Sequence, residues 1–103
     1  MLGALFEVRE SETPFGGQAR SLEPLGHVWL EPLEAVSMSR RNGEAGPVTE
    51  RRWHVRARAE TRLEPGQQIE VAGHLWTISE IGLAPWPAGA PSRFVNLRLE
   101  TQA

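Results

Sequence analysis

The segment from residue 49 to residue 60 constrains the fold more than any other part of the chain. From Trp53 to Glu60 the residues alternate between apolar and polar types, with Trp53, Val55, Ala57 and Ala59 on one parity and His54, Arg56, Arg58 and Glu60 on the other. Side chains on a β-strand point alternately to opposite faces of the sheet. The pattern therefore predicts a half-buried strand with an arginine-rich outer face.

Further short strands follow from the same two-residue period. They are predicted at residues 4–9, 27–31, 68–71, 74–81 and 94–100, with turns at Pro65-Gly66 and Ala72-Gly73. In the first of them Ala4, Phe6 and Val8 share one face. Residues expected to face inward are Val55, Ile69, Val71, Ile78, Val95, Leu97 and Leu99. About six strands without a helical stripe predict an all-β fold, a small antiparallel β-barrel or sandwich.

Three glycine- and proline-rich segments predict long flexible loops near residues 11–26, 40–48 and 82–92. In the second of these, Pro47 is expected to block regular strand pairing. Residues 33–39 either continue the second strand past a proline bulge or form a short helix-like turn.

Composition indicates one domain, residues 1–103, with a single modest core, since 40% of the residues are hydrophobic. No run of about 18 apolar residues is present, so no membrane-spanning helix is expected. The first residues lack the layout of a signal peptide, and no leader is expected. Cysteine is absent, which excludes disulfides. A net charge of −2 argues against a dedicated nucleic-acid-binding protein.

Candidate catalytic and metal-binding groups are sparse. His27, His54 and His74 stand in no spacing that would bring two of them to one metal. The chain has no Gly-x-Ser-x-Gly nucleophile turn and no phosphate-binding glycine loop. We therefore expect no enzyme activity, no cofactor and no metal.

Two groups of residues are candidates for contacts with other subunits. Arg52, Arg56 and Arg58 form either a solvated face with glutamate partners on neighbouring strands or a stripe at a subunit interface. Arg40 and Arg41 open the glycine-rich loop, where they either serve solubility or touch DNA or a neighbouring subunit.

The four tryptophans are expected to divide into core and surface residues. Trp53 and Trp76 lie on apolar strand faces and are predicted to be buried, and Trp29 is expected to join them. Trp86 lies between Pro85 and Pro87, where it either caps an open end of the barrel or docks on a partner.

Taken together, these elements resemble the head–tail joining proteins of tailed bacteriophages, also called head-closure or stopper proteins. The resemblance covers about residues 26–100. It rests on four segments: His27-Val28-Trp29-Leu30-Glu31, Val55-Arg56-Ala57-Arg58, the stretch from Leu63 through Ile69 to the hairpin Ala72-Gly73-His74-Leu75-Trp76-Thr77-Ile78, and Leu97-Arg98-Leu99-Glu100.

This resemblance implies a structural subunit of the neck of a phage or gene transfer agent particle, assembled in the bacterial cytoplasm. Such proteins form a small β-barrel and assemble as a ring, usually a dodecamer, between the portal or adaptor protein and the tail terminator or tail tube protein. A flexible loop closes the DNA channel and retains the packaged DNA. Residues 40–48, with Arg40, Arg41, Gly43 and Gly46, are the candidate channel loop, and residues 11–26 are the rival segment.

Two other functions remain open from the sequence. One is a small nucleic-acid-binding β-barrel that reads strands through tryptophan and arginine, which would need an exposed aromatic residue on a basic face. The other is a tail-completion or terminator protein, which has a similar size and setting.

Overall fold

The computed structural model describes residues 1–44, 46–59, 62–83 and 94–102. Its elements are seven β-strands: β1 (Leu2–Glu12), β2 (Gln18–Pro32), β3 (Ser37–Gly43), β4 (Gly46–Ala59), β5 (Gln68–Val71), β6 (His74–Leu83) and β7 (Val95–Gln102). No helix occurs in these residues, and so none there is long and apolar enough to cross a membrane. The predicted all-β class is confirmed.

The strands pair in a closed cycle. Their order is β2-β1-β5-β6-β7-β4-β3, and an additional pairing of β2 with β4 brings the sheet back on itself. Every pairing is antiparallel. Six strands thus enclose one core as a small barrel. β3 lies outside the cycle, and its partner among the described strands is β4.

One apolar cluster fills this barrel. Trp53 and Trp76 both belong to it, as predicted. The predicted inward residues are buried except Val95, which is half-buried at the start of β7. The buried cluster consists of Leu5, Val28, Leu30, Trp53, Val55, Ala57, Ile69, Val71, Trp76, Ile78, Leu97 and Leu99.

Trp29 does not join the core, and that prediction is wrong. Val28 and Leu30 are fully buried, so the strand period turns Trp29 outward, where 54% of its surface is exposed. The register of β1 and β2 also shifts between Leu5 and Phe6. Ala4, Phe6 and Val8 do share a parity but are only half-buried, and Leu5 supplies the buried side chain of β1.

Two segments expected to be flexible loops are β-hairpins instead. Residues 6–12 of β1 pair with residues 18–24 of β2, forming a first arm with its tip at residues 13–17. Residues 37–43 of β3 pair with residues 46–52 of β4, forming a second arm. Pro47 does not prevent this pairing, since it stands opposite Asn42 near the arm tip.

Two smaller predictions need revision. Residues 33–36 form neither a bulged strand nor a helical turn; the chain bends there, and β3 begins at Ser37. The third predicted loop starts later than expected, because Gly82 and Leu83 still belong to β6. The rest of that predicted loop, residues 84–92, lies outside the described residues. The closing strand, predicted from residue 94, begins at Val95.

Candidate functional site: the outer face of the barrel

The outer face of β4 carries most of the predicted interface residues. Arg52, His54, Arg56 and Arg58 alternate with the buried Trp53, Val55 and Ala57, so they line up on one side of the strand. β7 pairs with β4 at residues 50–57, and on the other side β2 pairs with residues 55–59 and β3 with residues 46–52. The side chains of these neighbouring strands therefore decide which of the arginines are paired within the chain.

Two of these arginines have glutamate partners directly across a strand pair. Arg56 Nη2 lies 2.6 Å from Glu31 Oε2, and Arg56 Nε donates a second hydrogen bond of 3.1 Å to the same oxygen. The Arg56 guanidinium also lies 5.5 Å from the centre of the Phe94 ring. Arg52 Nε lies 3.5 Å from Glu100 Oε1. Exposed pairs of this kind contribute about 0–1 kcal/mol each, so they orient these side chains more than they stabilise the fold.

Arg58 differs from its neighbours. It is exposed, and no ion pair reaches it from the residues that the structure describes. Its cross-strand partner on β2 is the exposed Trp29, whose own partner on β1 is Leu2. Together with His27 and Phe94 these residues line an open depression of about 850 Å³. We call it the aromatic groove.

His54 belongs to a polar chain that joins four segments. Its Nδ1 lies 2.5 Å from Glu34 Oε1, and Arg98 Nε donates a 2.8 Å hydrogen bond to its Nε2. Arg98 Nη1 in turn lies 3.4 Å from Glu80. Because a guanidinium only donates hydrogen bonds, His54 Nε2 is the acceptor of the bond from Arg98. Both ring nitrogens of His54 are engaged, so its side chain links β4 to Arg98 on β7 and to Glu34 in the bend before β3.

No metal-binding cluster emerges from the described part of the chain, where groups of three or more histidine, aspartate or glutamate side chains close enough to hold an ion are absent. His27 lies in the aromatic groove, and His74 begins β6 after the Ala72-Gly73 turn. The structure therefore does not bring the three histidines together as one such cluster.

The predicted channel-loop residues all lie in the second arm. Arg40 and Arg41 stand opposite Thr49 and Val48, and Gly43 stands opposite Gly46 at the tip. Gly46 has φ +116°, which side-chain-bearing residues rarely adopt, and a Cβ on Gly43 would lie 2.9 Å from a Val48 methyl group. The glycines thus make the tight end of a paired hairpin instead of a freely moving loop.

Trp86 lies outside the described residues, and its two predicted roles stay as predictions. Sequence reasoning missed the aromatic groove and the first arm. The alternation of Val28, Trp29 and Leu30 allowed either parity to face inward. Val28 and Leu30 are both aliphatic and share one parity, and this was the available signal that Trp29 faces out.

Comparisons with known proteins were made by sequence and by structure. No family model matches the chain. No curated protein matches it either. Among solved structures, the fold is similar to that of a chain in the virion of a native gene transfer agent particle, with a TM-score of 0.75 and 19% sequence identity. The similarity covers 100% of this chain and 94% of that one, so the fold is shared over its whole length.

Proposed function

We propose that this protein is a structural subunit of the neck of a tailed phage or gene transfer agent particle. In this role it forms a ring between the portal or adaptor protein and the tail, closes the DNA channel and receives the tail. The observation that carries the proposal is the whole-length likeness of its fold to a chain of a gene transfer agent virion. The sequence motifs that resemble head–tail joining proteins support it independently.

The surface chemistry agrees with a role based on contact. On β4, Arg52, His54 and Arg56 are paired with Glu100, Glu34 and Glu31, and Arg58 lies exposed beside Trp29. Two hairpin arms extend beyond the closed barrel, and apolar side chains such as Phe15 and Met38 are exposed on them. A ring of identical subunits could bury such side chains between neighbours, and each contact would be repeated around the ring.

Imaging of particles made with and without this subunit tests the proposal. Particles lacking it should show a neck with missing density and heads that lose DNA or carry no tail, and supplying the chain in trans should restore the neck. Tailed, DNA-filled particles with an unchanged neck would show that the protein has no such role. A ring on the tail side of the neck would instead identify a tail-completion or terminator protein.

One observation favours a second function, a nucleic-acid-binding barrel. Trp29 is exposed beside Arg58 and His27, so an aromatic residue does lie on a partly basic surface. Glu31 lines the same groove, however, and the net charge is −2. Titration with single-stranded oligonucleotides, followed by tryptophan fluorescence, separates the two functions. A neck subunit should show no saturable quenching at moderate salt, whereas a binding module should show quenching that weakens steeply as salt rises.

A further inference from the structure

The tip of the first arm presents a single aromatic side chain to solvent. Phe15 is 98% exposed. The turn around it is well formed: Thr13 N donates to Gly17 O at 2.8 Å, Gly16 N donates to Thr13 O at 3.1 Å, and Gly17 N donates to Thr13 Oγ1 at 3.0 Å. These bonds order the backbone of the turn, and the turn presents the Phe15 side chain to solvent.

The aromatic groove on the same chain is lined by apolar and aromatic side chains of the kind that a phenylalanine ring packs against. Leu2 is 62% exposed, and Trp29, Phe94 and Arg58 line the same depression. Aromatic rings pack favourably edge-to-face or offset against one another. A phenylalanine side chain is of the size and type that such a depression accommodates.

Phe15 cannot reach the groove of its own chain. Gln18 follows the arm tip and Trp29 lies eleven positions further along the same strand, β2. At about 3.3 Å per residue, the two are about 36 Å apart along the strand. The two surfaces can therefore meet only between different copies.

The charges beside the two surfaces are complementary. Glu7, Glu10 and Glu23 of the first arm are paired with Arg9 and Arg20. Glu12, next to the tip, has no ion pair to any residue in the described ranges, and the same is true of Arg58 in the groove. If the tip of the first arm entered the aromatic groove of another copy, the Glu12 carboxylate and the Arg58 guanidinium would meet.

We propose that the first-arm tip of one copy inserts Phe15 into the aromatic groove of the next copy, with Glu12 of the first facing Arg58 of the second. The contact joins two different patches of the same chain, so it is heterologous and propagates from copy to copy until a ring closes. This inference rests on the proposed ring and adds the surfaces that build it.

Cysteine cross-linking tests the contact directly, because the chain contains no cysteine of its own. Pro14→Cys, which keeps Phe15, is placed in one chain and His27→Cys in another, and the two chains are co-assembled. We expect an oxidised heterodimer both in purified necks and in concentrated solution. Glu44→Cys, at the tip of the second arm, replaces Pro14→Cys as the matched control and should give no cross-link to His27→Cys.

Assembly of substituted chains tests the energetics. Phe15→Ser should weaken self-association at least tenfold by analytical ultracentrifugation. Met38→Ser, which removes another exposed apolar side chain, on the second arm, should not. Glu12→Arg and Arg58→Glu should each weaken self-association, and the double variant should recover it. Because all four side chains are exposed, circular dichroism should show the parent fold in each case.

The outcomes separate this inference from the proposed function. Rings that assemble in necks without the cross-link, or with Phe15→Ser at the parental level, would overturn the contact and leave the neck role standing. A Pro14→Cys cross-link to a different neck protein would also overturn it, since the occupant would then be another partner. Absence of the chain from the neck would reject the proposed function, and the solution experiment alone would then decide the contact.

Discussion

Trp53 and Trp76 pack against each other in the core with their ring centres 5.5 Å apart and their planes inclined by 45°. They come from β4 and β6, which lie on either side of β7 in the sheet, so the pair bridges across a strand. Trp53 Nε1 also donates a 3.0 Å hydrogen bond to the backbone oxygen of Glu34. The pair thereby anchors the bend before the second arm to the centre of the barrel.

Trp53→Ala should lower the free energy of unfolding by about 3–5 kcal/mol, because it leaves a large cavity beside Trp76. A domain of this size is stable by only about 5–15 kcal/mol, so a large part of its stability is lost. Trp29→Ala is the matched control and should cost under about 1 kcal/mol, since Trp29 faces outward. Urea unfolding followed by far-ultraviolet circular dichroism measures both; equal losses would contradict the assignment of Trp29 to the surface.

Leu97→Asp should prevent folding. Leu97 is 1% exposed within the apolar cluster, and a carboxylate there would have no partner in the described core. Leu22→Asp, on the exposed part of the first arm, should fold like the parent, whose circular dichroism spectrum should be dominated by β-structure. A folded Leu97→Asp variant, or a parent spectrum dominated by helix, would contradict the barrel.

The sequence predicts the barrel well and the arms poorly, for a physical reason. Strands such as 53–59 and 95–101 bury one face, so their hydrophobic alternation reports their structure directly. The arms bury little: residues 18–24 are exposed throughout, and their pairing rests on backbone hydrogen bonds that leave no hydrophobic period in the sequence. The glycine and proline residues in these segments are as typical of a loop as of a β-hairpin.

The candidate surface was partly predictable for the same reason. Alternation placed Arg52, Arg56 and Arg58 on one face, and the structure agrees. The partners of Arg52 and Arg56 depend on strand order and register, which bring Glu31 from β2 and Glu100 from β7 to opposite sides of β4. Such non-local pairing is not encoded in the period of a single strand.

Arg56→Glu should impair ring or neck formation more than it destabilises the monomer. The change breaks the pair with Glu31 and sets two carboxylates opposite each other, which at this partly exposed position costs about 1 kcal/mol. Pull-down of assembled necks and thermal unfolding of the isolated chain measure the two effects. The swap Glu31→Arg with Arg56→Glu restores the intrachain pair; full recovery of assembly in that variant would show that the defect came from the pair and not from an interface.

Shortening the second arm by deleting residues 41–46 and rejoining the strands should leave the barrel folded. The arm tip pairs only within its own hairpin, so its loss opens no part of the closed cycle. If this arm closes the channel, particles should lose DNA before tail attachment, as measured by nuclease-sensitive DNA in filled heads. Deleting the first-arm residues 12–18 is the comparison; DNA retention by the second-arm deletion at the parental level would remove that arm from the channel role.

Trp86→Ala should lower neck assembly while leaving the far-ultraviolet spectrum unchanged, if Trp86 docks on a partner. The alternative role, capping one end of the barrel, predicts instead a loss of about 3 kcal/mol or more in unfolding free energy, as for a buried tryptophan. Urea unfolding and particle counts from the same preparations distinguish these results. A variant that is unaffected in both would show that Trp86 has neither role.

β4 is one continuous strand of 14 residues that starts at the tip of the second arm and ends within the closed cycle. Its residues 50–57 are hydrogen-bonded to β7, so arm and barrel share one backbone without a hinge between them. A load applied along the arm would therefore act on the β4–β7 hydrogen bonds in parallel, in shear, rather than opening them one at a time. The second arm is therefore a rigid extension of the barrel, and a force at its tip would be transmitted to the whole subunit.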